Sequence, residues 1–322
     1  KEAIDTILEM ADYKVYGKCK ALIVTGCLAK RYKKEILESM PEVDLCIGVD
    51  AYENIDSILS NFLNQKFLNH KLDFNNRVIS TNFPLSYIRI SDGCDNRCSY
   101  CAIPLIRGNF KSRKMEDILK EVENLAKKGI KEFCIISQDT SKYGKDIYGS
   151  LKLAELLNKM SKIEGVKWIR ILYMYLYETT DELIYEIANN DKVCKYFDIP
   201  IQHLSNKILK AMNRHDTKEL IYERVNKIRK VIPDAILRTT VITGFPGETK
   251  EDFEELRDGI IDLQFDRLGA FAYSREEDTK AYNMKNQIPE KIKQDRLKDV
   301  FEVQKHISLL KNKKRVGKIY EV

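Results

Sequence analysis

Tyr87-Ile-Arg-Ile-Ser91-Asp-Gly93-Cys94-Asp-Asn-Arg-Cys98-Ser-Tyr100-Cys101 is a short apolar run that leads through a glycine into three cysteines within eight residues. The run has the length and alternation of a strand, and Gly93 permits a tight backbone entry into the loop behind it. A four-iron cluster needs one thiolate per iron for full protein ligation, so three cysteines leave one iron open for another ligand. Structural zinc is the alternative. It wants four ligands, commonly from two closely spaced pairs, and no fourth Cys or His lies near this loop. Chance packing of core cysteines fits poorly with the polar residues Asp95, Asn96 and Arg97 between them.

Outward from this loop the chain alternates. Strand-like runs at Tyr87–Ser91, Glu132–Ser137, Trp168–Tyr173, Tyr196–Ile201, Ile236–Thr243 and Arg267–Tyr273 are separated by amphipathic segments. Those segments are Met115–Lys128, Leu151–Met160, Thr180–Ala188, Leu220–Val231 and Lys250–Leu263. Such alternation predicts parallel strands joined by right-handed helical crossovers. Six units predict an α/β fold, a partial (β/α)6 barrel, with chemistry collected at the carboxyl ends of the strands. A charged helix over Pro289–Lys311 closes it, and Val316–Val322 reads as the first strand of a further β domain.

Upstream, Ile4, Ile7, Leu8 and Ala11 fall at helical spacing. A buried strand over Ala21–Thr25 ends at Gly26-Cys27, and a helix over Lys30–Met40 leads to a second strand, Val43–Val49. The expected organisation is a small α/β domain over 1–65, a polar linker over 66–85, the barrel over 86–314 and the start of a β domain over 315–322. A first residue that is Lys and a last run that is strand-like lead us to expect both ends to be cut, the first domain included.

The 322 residues suit about two domains at roughly 100–200 residues each. With 43% hydrophobic and 32% charged residues the composition is that of a chain able to bury a full core. No apolar run approaches the ~18 residues of a membrane span, and no signal peptide opens the chain, so a cytoplasmic location is expected. A net charge of +6 is compatible with an RNA or ribosome partner without requiring one. The densest basic run, Lys311, Lys313, Lys314, Arg315 and Lys318, reads equally as a solvated helix end or a phosphate contact. Eight cysteines in a chain without secretory features point to a reducing compartment and to metal or catalytic use of some.

The CxxxCxxC spacing, with aromatic Tyr100 before the last Cys, resembles the radical S-adenosylmethionine (SAM) signature. The resemblance implies a [4Fe-4S] cluster on Cys94, Cys98 and Cys101, with SAM chelating the open iron. Reductive cleavage of SAM would then yield a radical that abstracts hydrogen from an unactivated carbon, so these cysteines are the catalytic candidates. The continuation Ala102-Ile-Pro-Leu-Ile-Arg107-Gly108 and Ser112-Arg113 resembles the methylthiotransferases. Val24-Thr-Gly-Cys27-Leu-Ala-Lys-Arg resembles their N-terminal domain, which holds a second [4Fe-4S] cluster on three cysteines. Cys27 alone matches that pattern here, the other two being expected before Lys1. Cys19 and Cys46 fall outside it and read as packed thiols, as do Cys134 and Cys194.

Within the family, Ser137-Gln-Asp-Thr-Ser-Lys-Tyr-Gly144, Arg170–Tyr175, Leu237–Thr249 and Tyr273–Thr279 resemble the branch that methylthiolates the β-carbon of an aspartate in a small-subunit ribosomal protein. That branch implies a ribosomal protein or ribosome as partner and a flavodoxin- or ferredoxin-like electron donor. Methylthiolation of a tRNA adenosine is the alternative inside the family. A non-catalytic metal module that binds RNA is the alternative outside it.

For cofactor contacts, Gln138 and Asp139 could hydrogen-bond the methionine amine or the ribose, or form only a polar turn. Gly244, within Gly244-Phe-Pro-Gly-Glu248, could let backbone approach the adenine, although the same residues make good turn chemistry. Thr249 reads as a helix N-cap. His203 could contact ribose or substrate, or serve as a hydrogen-bonded structural group, and Tyr100 joins the cofactor candidates. Arg107 and Arg113 carry guanidinium forks suited to carboxylate or phosphate, and solvent is their ordinary fate. Tyr173, Tyr175 and Tyr177 form an aromatic stripe at strand spacing that reads as core or wall.

Overall fold

The computed structural model describes residues 2–67, 77–81 and 83–321, in two compact units. The first comprises Lys1–Arg77 with Ile103–Gly108; the second comprises Val78–Ala102 with Asn109–Val322. Of the expected linker over 66–85, residues 68–76 and 82 lie outside the described residues.

The first unit opens with α1 (Glu2–Val15), which buries Ile7 and Ala11, one turn apart on a single face. Ile4 and Leu8, expected on that stripe, stay exposed because so small a core covers only one row of the helix. Strands β1 (Ile23–Gly26) and β2 (Leu45–Gly48) pair in parallel, Ile23 opposite Leu45. Between them the single helix expected over Lys30–Met40 is two, α2 (Cys27–Arg31) and α3 (Lys33–Ser39), because Tyr32 leaves helical geometry at φ −115°. Helix α4 (Ile55–Leu63) follows and ends on Asn64 in the left-handed region, where a short polar side chain is tolerated. The core is Ile7, Val24, Ala29, Ile36, Met40, Val43 and Cys46. Cys46 is thus a packed thiol, as expected.

The second unit holds β3 (Leu85–Arg89) and β4 (Ser91–Asp92), then β5 (Lys111–Ser112) and α6 (Met115–Lys127). The chain between β4 and β5 carries α5 (Ile103–Arg107), which clusters with the first unit. β6 (Glu132–Ile136), α7 (Lys145–Tyr148), α8 (Leu153–Ser161), β7 (Trp168–Ile171) and α9 (Asp181–Asn189) follow. The chain continues through β8 (Tyr196–Asp198), α10 (Asn206–Ala211), α11 (Lys218–Val231), β9 (Ile236–Thr243), α12 (Lys250–Leu263), β10 (Arg267–Ala272) and α13 (Glu290–Lys313).

The strands form two parallel sheets, β3-β6-β7 and β8-β9-β10. A parallel bridge from Ile169 to Val193, just before β8, makes the two sheets neighbours in one open series of six. The series does not close, which agrees with a partial barrel. Phe133, Cys134 and Ile135 are buried in succession, as a parallel strand covered on both faces requires. β9 instead alternates, with Leu237, Thr239, Val241 and Thr243 buried. Helices α6, α8, α9, α11 and α12 each turn a face of Ile, Leu or Val onto the sheets, and fully burying one such side chain is worth about 1.5–3 kcal/mol. Thr249 caps α12 in a reciprocal capping box with Asp252, the N-cap role read from the sequence.

The strand expected at Val316–Val322 does not form: residues 316–321 are turn and irregular. A strand needs a neighbouring edge for its backbone groups, and among the described residues this segment pairs with none. Lys311 and Arg315, from the basic run, are engaged within the fold, both reaching Asp266 at 3.0 and 2.8 Å.

Candidate active site

The carboxyl ends of the six strands carry one continuous set of polar and aromatic loops. β3 and β4 lead through Gly93, at φ 72°, into Cys94. Cys98 and Cys101 close the loop with a backbone bond from Cys101 N to Cys98 O at 3.0 Å, and all three thiols are half-buried. Arg97, at φ 48°, turns the chain between the first two cysteines.

Long-range bonds pin this loop from several directions. Asn96 Nδ2 donates to Asp139 Oδ2 at 2.9 Å, from the loop after β6. The Phe110 N–H donates to Asp95 Oδ1 at 3.0 Å, and Lys142 reaches the other oxygen of Asp95 at 3.3 Å. Ser99 donates its hydroxyl to Ala211 O at 2.6 Å and its N–H to Met212 O at 2.9 Å, and accepts from the Ala281 N–H at 2.8 Å. Asn213 Nδ2 donates to the carbonyls of Asn96 and Arg97 at 3.2 and 3.0 Å. Tyr100 packs edge-on against Phe245, which packs in turn on Tyr273.

Among the described residues no three His, Cys, Asp or Glu groups are gathered as one ion's ligand shell. A four-iron cluster does not require that gathering, since each thiolate sits on a different iron. Cys94 nevertheless feels the charges of Cys98 and Cys101; burial first, then Asp139 and these two thiols, pushes its thiol up to about 11. A metal centre releases such protons on binding. The donor set is sulfur alone, which suits iron–sulfur chemistry. Around the loop, Gln138 Oε1, Gln202 Oε1 and the Tyr273 hydroxyl are buried without a hydrogen-bond partner among the described residues, at the ends of three different strands. Buried polar atoms left in this way are groups that a bound ligand can satisfy. Thiols and orphaned atoms together fit a cluster with a polar cofactor beside it.

The other candidates divide. Asp139 is buried, its carboxyl raised by burial against the bonds from Ser141 at 2.6 Å and Asn96. His203 is fully buried; its Nδ1 accepts from the Ser205 N–H at 2.9 Å, which assigns the proton to Nε2. Nε2 then lies 3.4 Å from Glu248 Oε2, within ion-pair distance but not aligned as a hydrogen bond. Glu248 also accepts from Gly244 N at 2.8 Å and from Arg296 at 2.6 Å, so His203 belongs to a buried structural network. Gly244, at φ 71°, needs to be glycine for a local reason: a Cβ there would meet Lys293 Cγ at 2.3 Å. Arg113 is committed to the buried Glu121 at 2.7 Å and to Arg89 O at 2.6 Å. Tyr175 is buried, while Tyr173 and Tyr177 are exposed, so the stripe is wall on one side only. Cys134 is buried and pushed up to about 11 chiefly by burial, a protonated core thiol.

In the first unit Cys27 begins α2, half-buried, and Arg107 Nη2 donates to its sulfur at 3.3 Å. A cavity of about 860 Å³ lies away from all of these residues, at the amino ends of the barrel strands beside Glu132, Trp168, Tyr196 and Ile236. Within its lining Arg170 pairs with Glu132, and Lys311 and Arg315 both pair with Asp266.

The Radical SAM superfamily model matches residues 88–260, the span that builds the cysteine loop and most of the strand series. The ribosomal protein uS12 methylthiotransferase RimO of Clostridium botulinum is 51% identical over 329 residues, covering 100% of this chain and 74% of that protein. The protein of the same name from Acetivibrio thermocellus is 50% identical over 337 residues, with the same coverage. The chain belongs to the radical SAM methylthiotransferases.

Membership in this family brings a [4Fe-4S] cluster and SAM as cofactors. The cobalamin-dependent radical SAM enzyme OxsB shares the fold at 12% identity, TM-score 0.58, covering 94% of this chain and 46% of its own. Coproporphyrinogen III oxidase HemN of Escherichia coli does so at 18% identity, TM-score 0.52, covering 70% and 53%. Sequence reasoning missed the methylthiotransferase's loop anchors Asn96, Ser99 and Asn213 and the buried pair Arg214–Asp216. Asn96, Ser99 and Asn213 are ordinary polar residues with partners distant in the chain, and Arg214–Asp216 is a neighbouring pair whose burial the sequence does not show. No helix among the described residues is long and apolar enough to cross a membrane.

Proposed function

We propose that this methylthiotransferase acts on an aspartate β-carbon of ribosomal protein uS12, with Cys94, Cys98 and Cys101 as the cluster ligands. The single observation that carries the reading is the thiol triad, on a loop anchored at the strand ends, in a chain about half identical to uS12 methylthiotransferases over its entire length. When bound, the cluster and SAM supply the one-electron chemistry that activates an otherwise unreactive carbon. The protein's own residues bind, orient and exclude water. The Gln138 and Gln202 amide oxygens and the Tyr273 hydroxyl hold polar groups of the cofactor, acting as acceptors or, for tyrosine, also as donor. Asp139 holds the loop by Asn96, and Tyr100 with Phe245 and Tyr273 forms an apolar wall that limits water. His203 and Gly244 act at one remove, by shaping the loop that follows β9.

Cys27 is assigned to sulfur delivery, with Arg107 as its neighbour. A flavodoxin- or ferredoxin-like protein is the proposed electron donor. Incubation of the reconstituted, reduced enzyme with SAM and either uS12 or tRNA tests the substrate. The reading expects the aspartate-bearing peptide of uS12 to gain one SCH2 in mass; modification of tRNA alone would sink it.

A further inference from the structure

The strand ends opposite the cysteine loop carry two adjoining clefts, of about 860 and 580 Å³, which share Tyr196, Ile236 and Arg315 in their linings. Tyr196, Ile236 and Arg267 open β8, β9 and β10, so both clefts lie at the amino ends of the strands. Together they are lined by nine Lys and Arg side chains and four carboxylates. That surplus of five nearly equals the net charge of +6 on all 322 residues. The rest of the chain is close to balanced, and its positive excess is gathered at one end of the sheets.

The lining carboxylates do not absorb this charge. Glu132 pairs with Arg170 at 2.7 Å, and Asp266 is shared by Lys311 and Arg315 at 3.0 and 2.8 Å. Glu321 pairs with Lys167, outside the clefts, which leaves Asp234 without an ion pair among the described residues. Lys314, Lys318 and Arg267 also enter no ion pair among the described residues, and Arg238 has Asp198 at 3.8 Å. Arg238 and Arg267 are register partners on β9 and β10, so their side chains leave one face of the sheet side by side. Like charges so placed repel. The smaller cleft joins Arg315 to them and has no carboxylate in its lining among the described residues. These three arginines come from β9, from β10 and from the turn after α13, so solvation of a helix end does not account for their convergence.

We propose that this end of the sheets binds the phosphate backbone of single-stranded RNA, with Arg238, Arg267 and Arg315 taking phosphates in the smaller cleft. Lys314 and Lys318 meet the neighbouring phosphates in the larger one. Guanidinium forks match phosphate oxygens in pairs, and a polyanion suits two continuous clefts better than one small anion does. Trp168, Tyr196 and Tyr320 line the larger cleft as well. Cations beside aromatic rings are the means by which proteins hold single strands without reading their sequence. The site lies at the far end of the strands from the cysteine loop, so it holds a partner without touching the reacting atoms. It goes beyond the uS12 reading and does not rest on it.

The test is fluorescence anisotropy of the reconstituted full chain with a labelled single-stranded RNA oligonucleotide of mixed sequence, at salt from about 50 to 200 mM. Each phosphate contact on a single strand contributes about −0.7 to the slope of log affinity against log salt. The double variant R238Q/R267Q should bind about tenfold more weakly or worse, with the slope flattened by about 1.4. R238K/R267K, which keeps both charges, should recover most of the affinity. K120Q/K128Q makes the same charge change on exposed positions at α6 and should stay within about twofold of the parent. No binding by the parent chain at about 50 mM salt overturns the proposal. So does an equal loss in the α6 variant, or an unchanged slope in R238Q/R267Q. A polyglutamate peptide that displaces the RNA at equal charge would also overturn it, by making the site one for acidic protein. If circular dichroism shows the double variant unfolded, R267Q alone decides, because Arg267 is exposed. Its slope should flatten by about 0.7, and an unchanged slope there sinks the proposal.

Discussion

The two units place a cysteine at the same topological point and equip it differently. In the first, Cys27 follows β1 through Gly26 at φ 115°; in the second, Cys94 follows the parallel strand β3 and the two-residue β4 through Gly93 at φ 72°. Each stands at the carboxyl end of a parallel strand, where loops converge and backbone can turn sharply. Cys94 has two further thiols within seven residues and a loop bonded to residues up to 117 positions away. Cys27 has one guanidinium at 3.3 Å. Strand-end geometry thus supplies a place for chemistry, whereas a preorganised metal site also needs several donors and anchors that hold them. Among the described residues, the second unit has both.

Substitution of Cys98 by Ala should have the largest effect: complete loss of the barrel cluster and of SAM cleavage. Cys27→Ala should leave both intact in this chain. Iron and sulfide counts on the two variants check this, and equal losses would erase the distinction between the two sites.

The cores differ as the loops do. Phe133→Ala in the barrel should cost about 3–5 kcal/mol, from lost burial and the cavity left behind. Denaturant unfolding of the variant checks it. Hydrogen exchange should show the small first unit opening before the barrel, because its apolar cluster of seven residues has far less to lose. Slower exchange in β1 than in β6 would reverse that order.

Asn96→Ala tests the anchors one at a time. It removes the bond to the buried Asp139 carboxylate, an interaction to a charged group worth about 1.5–3 kcal/mol. Affinity for SAM should fall roughly tenfold or more by calorimetry. Unchanged affinity would mean that the loop is held without this bond.

The smallest expected effect lies away from both cysteine sites. Lys207, the Thr249 N–H and Ser205 hold Asp252 below the usual carboxylate range, against burial, which acts the other way. A depressed carboxyl contributes stability above its unfolded pKa and loses it as pH falls toward the folded value. Asp252→Asn should therefore lower stability at neutral pH and flatten its decline below about pH 4, as denaturation at several pH values would show.

How legible the molecule is in its sequence follows the range of each interaction. The apolar runs at 132–137 and 236–243 match strands to within a residue, since burial on both faces writes itself as consecutive or alternating apolar positions. The cysteine loop is legible because its ligands lie within eight residues. Residues 316–321 form no strand among the described residues: β-propensity is visible in the sequence, but the partner edge that makes a strand is not. The helix over 30–40 was joined where Tyr32 divides it, a backbone angle no periodicity reports. The anchors at Asn96, Ser99 and Asn213 and the pair Arg214–Asp216 were invisible for the same reason. They act across 43 to 117 residues of chain, or in a buried setting, and are individually unremarkable.

The most direct test of the central claim is production of 5′-deoxyadenosine by the anaerobically reconstituted, reduced chain, measured beside Cys98→Ala. The account predicts about four irons on the barrel triad, cofactor cleavage by the parent chain and none by the variant. A properly filled cluster that cleaves no SAM, or equal cleavage by the variant, would contradict it.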